Sequence, residues 1–372
     1  MSQILTATAK DQLTIRSFLV RKDDLRQTQF IDTSFEQNSL QPGQLLLKVD
    51  SFAFTANNIT YAELGDRLAY WQFYPAADPA FGIIPVWGFA EVIASRHPTI
   101  AVDERIFGFL PMASHVVLQP GKVSDDAFTD ATPHRTSLPP AYNRYGRVTG
   151  DPDYAPDFEA MQSLLRPLFI TSFLIDDFLA DEHFFGAQAV ILSSASSKTA
   201  FALAHQLHKR KAVTVIGLTS AGNRAFVEGL GCYDQVVTYD AIASLPRQPA
   251  VYVDFAGSAD IRRSIHEHFG DDLKYSCAVG LSHREMNPPG KGLPGPKPVF
   301  FFAPDRIVKR NKDWGPGGFD LRLVAAWRDF MRTAKGWLTV QAGGRRDVET
   351  VYRATLDGKV KPREGHILSL WD

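Results

Sequence analysis

The chain has 372 residues, which at ~100–200 residues per domain predicts two domains, or three small ones. Its hydrophobic fraction of 45% and charged fraction of 22% are those of a well-packed globular protein. With 40 lysines and arginines against 41 acids, the formal net charge of -1 leaves no electrostatic footprint for nucleic acid or an anionic membrane surface.

In chain order, the first 120 residues read as short strands between turns. Leu45–Val49 follows the turn signal Pro42-Gly43, and Pro85–Ser95 (PVWGFAEVIAS) is a small-residue strand with an embedded glycine. Arg105–Leu110 and His115–Leu118 continue the series, so a partly open β-barrel is expected. From Asp125 to Pro156 turn formers dominate without a sustained period, which predicts a long irregular loop, ordered by Tyr142, Tyr145 and Tyr154. Helix and strand then alternate. Helix is expected over Phe158–Leu179, with a kink or break at Pro167, and over Thr199–Lys209, Arg224–Leu230 and Ala259–Phe269. Strands are expected at Ala189–Leu192, Val213–Leu218, Val236–Thr238, Val251–Phe255 and Ser276–Val279. This alternation signals right-handed βαβ units around a parallel sheet, an α/β fold. Pro288–Pro298 must be a loop, Val299–Ala303 a strand, Leu323–Lys335 and Val348–Leu356 helices, and His366–Leu370 a last strand.

Two cysteines, Cys232 and Cys277, are too few for a disulfide framework or a four-thiolate zinc site. No apolar run reaches the ~18 residues of a membrane span, and the first residues lack signal-peptide features. A soluble, cytoplasmic protein is the expectation.

Several segments carry a family resemblance. PGQLLLKVDSFAFTANNIT, PVWGFAEVIAS, DERIFGF, SHVVLQPGKV, FVEGLGCYDQVVTYD and DVETVYRATLDGKVKPREGHILSL stand in the order found in the medium-chain dehydrogenase/reductase superfamily. The chain resembles a zinc-independent, quinone-reductase-like branch of that superfamily, most of whose members are uncharacterised. The resemblance implies a GroES-like barrel over residues 1–157 and 339–372, and a Rossmann domain over 158–338. It also implies a dinucleotide at the carboxyl ends of the parallel strands, and a homodimer joined through the Rossmann sheets. The family's catalytic cysteine and four-cysteine zinc loop have no counterparts here, so no metal is expected.

The first Rossmann turn falls on Ser193–Ala200 and contains no glycine, although glycine usually lets the backbone approach the pyrophosphate. Ser194, Ser196, Ser197, Lys198 and Thr199 are the candidate phosphate contacts; a plain serine-capped helix is the bland alternative. The second strand ends in Thr219-Ser220 with no acid to hold a ribose hydroxyl, and Arg224 follows. A guanidinium suits a 2′-phosphate, so NADP(H) is the expected cofactor, the alternative being a solvated surface arginine. Tyr239 is placed to flank the adenine or simply to pack. Ala256, Gly257, Val279 and Gly280 match the places where the chain passes the nicotinamide ribose.

Without zinc, a hydroxyl or amide must stabilise charge developing on a reduced carbonyl. Tyr61 is the first choice of proton donor and Tyr70 the second; Asn57 matches the relatives' asparagine, whereas Thr60 replaces a common aspartate. Either tyrosine alone is as readily a buried aromatic with a satisfied hydroxyl. Trp71, Phe73 and Tyr74 are an aromatic run that either lines a pocket or fills core. His205, His208, His266 and His268 read as structural, with His283 a minor candidate near the nicotinamide. The expectation is an NADPH-dependent reductase of a small carbonyl or enone. Its rivals are a lyase or retro-aldol enzyme on the same fold, and a non-catalytic binding protein with a vestigial Rossmann site.

Overall fold

The computed structural model describes residues 12–151, 154–279 and 292–372. The described residues begin with β1 (Gln12–Arg21), β2 (Thr28–Glu36), β3 (Leu45–Phe54) and the short helix α1 (Ala56–Glu63). Next come β4 (Phe81–Gly82), β5 (Pro85–Ser95), β6 (Arg105–Pro111), β7 (His115–Leu118), β8 (Pro120–Gly121), β9 (Ala127–Asp130) and β10 (Arg144–Arg147). The long helix α2 (Glu159–Asp181) leads into β11 (Ala189–Leu192), α3 (Lys198–Arg210), β12 (Thr214–Thr219), α4 (Arg224–Gly229) and β13 (Gln235–Thr238). Then β14 (Ala250–Asp254), α5 (Ala259–Phe269), β15 (Leu273–Ala278), β16 (Val299–Phe300), α6 (Ala303–Trp314) and α7 (Gly318–Ala334) follow. The chain ends through β17 (Thr339–Gly343), α8 (Arg345–Leu356) and β18 (Glu364–Leu368).

Two compact units result: Met1–Leu164 with Val340–Val360 and Gly365–Asp372, and Leu165–Thr339 with Lys361–Glu364. In the first, a sheet runs β17-β18-β3-β5-β6-β10-β9-β8, antiparallel from β18 to β8, and β1 lies between β2 and β4 in a smaller sheet. Strand β3 changes partner along its length. Leu45–Lys48 pair with β7, Phe52–Phe54 pair with β18, and β5 runs along it throughout. Its burial continues past the expected end at Val49 because Phe52, Ala53 and Phe54 are also in the core. Gly88 is required there, since a Cβ would stand 2.2 Å from the carbonyl oxygen of Ser51.

The second unit is a six-stranded parallel sheet in the order β13-β12-β11-β14-β15-β16. Its central strand β11 is wholly buried, as the apolar run Ala-Val-Ile-Leu demands of a strand covered on both faces. The α/β class with a doubly wound parallel sheet is therefore as expected.

Four local expectations differ from the structure. The segment from Asp125 to Pro156 is not a structureless loop: β9 and β10 add to the large sheet, Gly146 pairing with Phe107 on β6 and with Ala127 on β9. Helix α2 runs through Pro167 without a break. Burial of Leu164, Leu165, Phe169 and Leu174 on both sides of that proline offsets the ~3 kcal/mol it costs a helix. The strand expected over Val299–Ala303 stops at Phe300, and α6 begins at Ala303 with Pro304 in its first turn, where a missing N–H costs nothing. Helix α7 starts at Gly318, ahead of the expected Leu323. Residues 288–291 of the expected loop Pro288–Pro298 lie outside the described residues.

Candidate functional site

In the parallel sheet the chain moves outward from β11 to β12 and β13, then returns to the other side of β11 with β14. The loops after β11 and β14 consequently diverge at the strands' carboxyl ends, the position where open α/β sheets bind ligands. Ser194, Ser196, Ser197, Lys198 and Thr199 follow β11; Thr219, Ser220 and Arg224 follow β12; Tyr239 follows β13; Ala256 and Gly257 follow β14; and Val279 follows β15. All of these lie along one edge of the sheet. Gly280 and His283 fall outside the described residues.

The glycine-free turn is built by substitution. Ser194 takes φ +49°, in the left-handed region that costs a non-glycine residue roughly 1–2 kcal/mol. Its N–H donates to the Tyr239 hydroxyl at 3.0 Å. Ala195 N–H donates to Leu218 O at 2.9 Å, and Ser197 N–H closes the turn onto Ser194 O at 2.7 Å. The Tyr233 hydroxyl donates to Ala195 O at 2.8 Å. The close approach comes from Gly217 on the neighbouring strand, where a Cβ would lie 2.8 Å from the Tyr233 ring and 3.0 Å from the Ala195 methyl. Ser197 caps α3 by accepting from Ala200 N–H, and Ser196 Oγ accepts from Asn223 Nδ2 at 3.2 Å.

Behind the turn lies a buried polar network that the sequence reading did not anticipate. Ser193 Oγ donates to Asp254 Oδ1 at 2.8 Å and accepts from the N–H groups of Phe255 and Ala256 at 2.9 and 3.0 Å. Asp254 Oδ1 also accepts from Ala256 and Gly257 N–H, while Oδ2 receives Nε and Nη2 of Arg262 at 2.9 and 2.8 Å. Both charged side chains are 1% exposed, so the ion pair is fully desolvated. Its only sequence signal is an acid ending an apolar strand, with an arginine on the following helix.

Two expected phosphate contacts have other partners. Lys198 Nζ donates to Glu364 O at 2.7 Å and Pro362 O at 3.4 Å, and burial brings its pKa down to about 8. Arg224 is exposed and pairs with Glu228 one turn along α4 at 2.8 Å. An exposed i,i+4 pair is worth only ~0.3–0.5 kcal/mol, so this guanidinium is readily exchanged to another anion.

The candidate acids sit in the other unit, in a dense aromatic cluster. Helix α1 is started by Asn58, whose side chain accepts from Thr55 N–H at 2.8 Å and donates to Pro85 O at 3.1 Å. That arrangement turns Tyr61 inward. Its ring lies 4.5 Å from Tyr70 and 5.4 Å from Phe109, and its hydroxyl accepts from Trp87 Nε1 at 3.4 Å and is hydrogen-bonded to the Asn57 side chain. The Tyr70 and Tyr142 hydroxyls are 3.0 Å apart. Burial raises Tyr61, Tyr70 and Tyr142 well above the usual phenol range, so all three keep their protons at neutral pH. Trp71, Phe73 and Tyr74 are core: the Trp71 indole fills the space over Gly65 and Gly82, where a Cβ would approach within 2.1 and 2.3 Å.

Tyr142 reaches the cluster because its segment is pinned from behind. Arg135 Nη1 pairs with Asp130 Oδ2 at 2.7 Å and reaches the Tyr145 hydroxyl at 3.1 Å, with Nε on Phe73 O at 2.8 Å. Its guanidinium also lies 4.2 Å from the Tyr74 ring centroid. The other histidines and cysteines make structural contacts. His266 bridges Pro294 O and Ser276 Oγ, His268 meets Leu245 O, His205 and His208 lie near Asp329 and Asp234, and Cys232 and Cys277 are buried free thiols. Among the described residues no group of three or more His, Cys, Asp or Glu side chains is arranged to hold a metal, and no helix is long and apolar enough to cross a membrane.

Solved structures share this fold at low sequence identity. CurA from Vibrio vulnificus, solved in complex with NADPH, is 13% identical with a TM-score of 0.62, over 95% of this chain and 98% of that one. The quinone oxidoreductase from Coxiella burnetii is 13% identical with a TM-score of 0.53, over 96% and 99%. A mutant enoyl thioester reductase from Candida tropicalis is 14% identical with a TM-score of 0.54, over 96% and 99%. The common architecture is a GroES-like barrel with a Rossmann domain, as expected. No curated protein matches the sequence. A family model does match residues 52–361, and the chain belongs to that family, described as a protein of unknown function (DUF2855).

Proposed function

We propose that the protein is a zinc-independent oxidoreductase that uses NADP(H) to reduce a small carbonyl or enone. The observation that carries this reading is the strand-order reversal between β11 and β14, with a tight turn of small residues at its edge. The residues present fit a dinucleotide. Ala195 and Gly217 keep side-chain bulk away from the turn, and Ser194, Ser196 and Thr199 would supply hydroxyls to the phosphates. Arg224 would grip a 2′-phosphate after leaving Glu228, and Tyr239 would flank the adenine. Ala256, Gly257 and Val279 would bound the nicotinamide ribose. When bound, the cofactor supplies the hydride. Tyr61 holds the proton to be delivered to the substrate oxygen, Asn57 orients that hydroxyl, and Tyr70 is the second donor. Fold-level likeness to the NADPH-bound CurA adds support by analogy.

A homodimer through the sheet edge is part of the same reading. Val299 and Phe300 on edge strand β16 are 46% and 37% exposed, more than an unpartnered apolar edge favours. Sedimentation of wild type as a dimer and of Phe300→Asp as a monomer would support it; a monomeric wild type would reject it.

Calorimetric titration with NADPH and NADH tests the cofactor. Wild type should bind NADPH more tightly, and Arg224→Ala should lose at least about tenfold for NADPH with little change for NADH. Failure to bind either nucleotide would overturn the reductase reading in favour of a vestigial site. Tight retention of NADPH without its net oxidation would favour the lyase or retro-aldol class.

A further inference from the structure

We propose that Ser193 is a positioning residue that locks the loop after β14 to the end of β11 through Asp254, and so sets affinity for the nicotinamide half of the dinucleotide. The inference rests on the dinucleotide reading above. Ser193 is fully buried, so its hydroxyl meets no bound molecule directly. A hydroxyl has one proton and two lone pairs. All are used here: the proton goes to Asp254 Oδ1, and the lone pairs accept from the backbone N–H groups of Phe255 and Ala256.

The geometry separates two structures at the same edge of the sheet. The turn at Ser194–Ser197 is shaped by its own bonds to Tyr239, Leu218 and Ser194, none of which involves the Ser193 side chain. The Phe255–Gly257 loop, by contrast, is held by Ser193 Oγ and by Asp254 Oδ1, which takes Ala256 and Gly257 N–H at 3.1 and 3.0 Å. Arg262 occupies the other carboxylate oxygen and holds the Asp254 side chain in place. Removing the Ser193 hydroxyl therefore strips one acceptor from Phe255 and Ala256 and one donor from Asp254, while leaving the turn intact. Gly257, at φ +63°, has the backbone freedom to move once released.

The test compares NADPH with 2′,5′-ADP, which lacks the nicotinamide half, by calorimetry on wild type and Ser193→Ala. The variant should bind NADPH about tenfold more weakly and 2′,5′-ADP within about twofold of wild type. A general loosening of the fold would weaken both probes in parallel, and that result overturns the proposal. So does a Ser193→Ala protein that binds NADPH as wild type does. If Ser193→Ala does not fold, Ser193→Cys, which fills the space with a weaker donor and acceptor, is read by the same pair of probes with the same outcomes. A wild type that binds neither probe overturns the dinucleotide reading itself, and this proposal with it.

Discussion

Tyr61 shows how far a single side chain is decided by its neighbours. Desolvation raises its pKa and keeps it a neutral phenol, while Trp87 donates to its oxygen. The neutral phenol carries the proton a carbonyl reduction needs, but its raised pKa makes Tyr61 a weaker acid than an ordinary tyrosine, so transfer depends on the negative charge that develops on the substrate oxygen. Tyr61→Phe should cut NADPH-dependent turnover at least about tenfold and leave NADPH affinity unchanged; a variant with wild-type turnover would remove Tyr61 from the acid's role. The same cluster shows why the residue was legible only as a candidate. Tyr61 stands one helical turn after Asn57, and that pairing can be read from sequence, but Trp87 and Tyr142 come from a distant strand and turn. Lys198 illustrates the opposite case. A lysine at a helix start beside a phosphate turn suggests a phosphate ligand, yet its amine is held by carbonyls contributed more than 160 residues later. No local pattern announces that.

Among the elements, the segment between Asp125 and Pro156 departs furthest from its appearance. Its prolines and glycines correctly mark turns, including those at Pro133–Arg135 and Pro140–Tyr142. Strands β9 and β10 are four residues each, too short for a period to emerge, and they exist because β6 offers β10 an edge. The segment is held by the desolvated Arg135–Asp130 pair and by Tyr145, which packs where a Cβ on Gly108 would intrude to 2.3 Å. Asp130→Asn leaves the Arg135 guanidinium uncompensated, which should cost about 3–5 kcal/mol of stability and weaken the near-ultraviolet dichroism of the tyrosines. Denaturant unfolding would measure the loss; a change below about 1 kcal/mol would show that the pair does not hold the segment.

For the whole molecule, buried histidines make stability depend on pH in one direction. Burial, assisted by the nearby Lys48 charge, lowers His115 from its ordinary 6.5 to about 4, and burial also lowers His205 and His266. The unfolded chain binds these protons more readily than the folded one. The stability each contributes is therefore present above pH 6.5 and is lost progressively as pH falls toward the folded value, about 4 for His115. His115 lies in the barrel unit and the other two in the Rossmann unit, so both units should be affected. The thermal midpoint should drop between pH 7 and pH 5, and His115→Gln should flatten the part belonging to the barrel. A midpoint constant over that range would contradict the assignment.

Local chemistry alone determined the parallel unit. Runs such as Ala189–Leu192 are too apolar to face water on either side, and the helix Lys198–Arg210 that follows is long enough to cross back, which favours covered βαβ units. The candidates Ser194–Thr199, Arg224, Tyr239 and Ala256–Gly257 follow the ends of those strands, and the resemblance to a known family pointed to them. Only the tertiary structure decided which donors and acceptors remain available there. Asp254, Arg262 and Ser193 neutralise one another in the interior, Tyr239 meets Ser194, and Lys198 is drawn away to the carbonyls of Pro362 and Glu364. Burial forces each polar group to find a partner, and those partners come from wherever the fold brings the chain close.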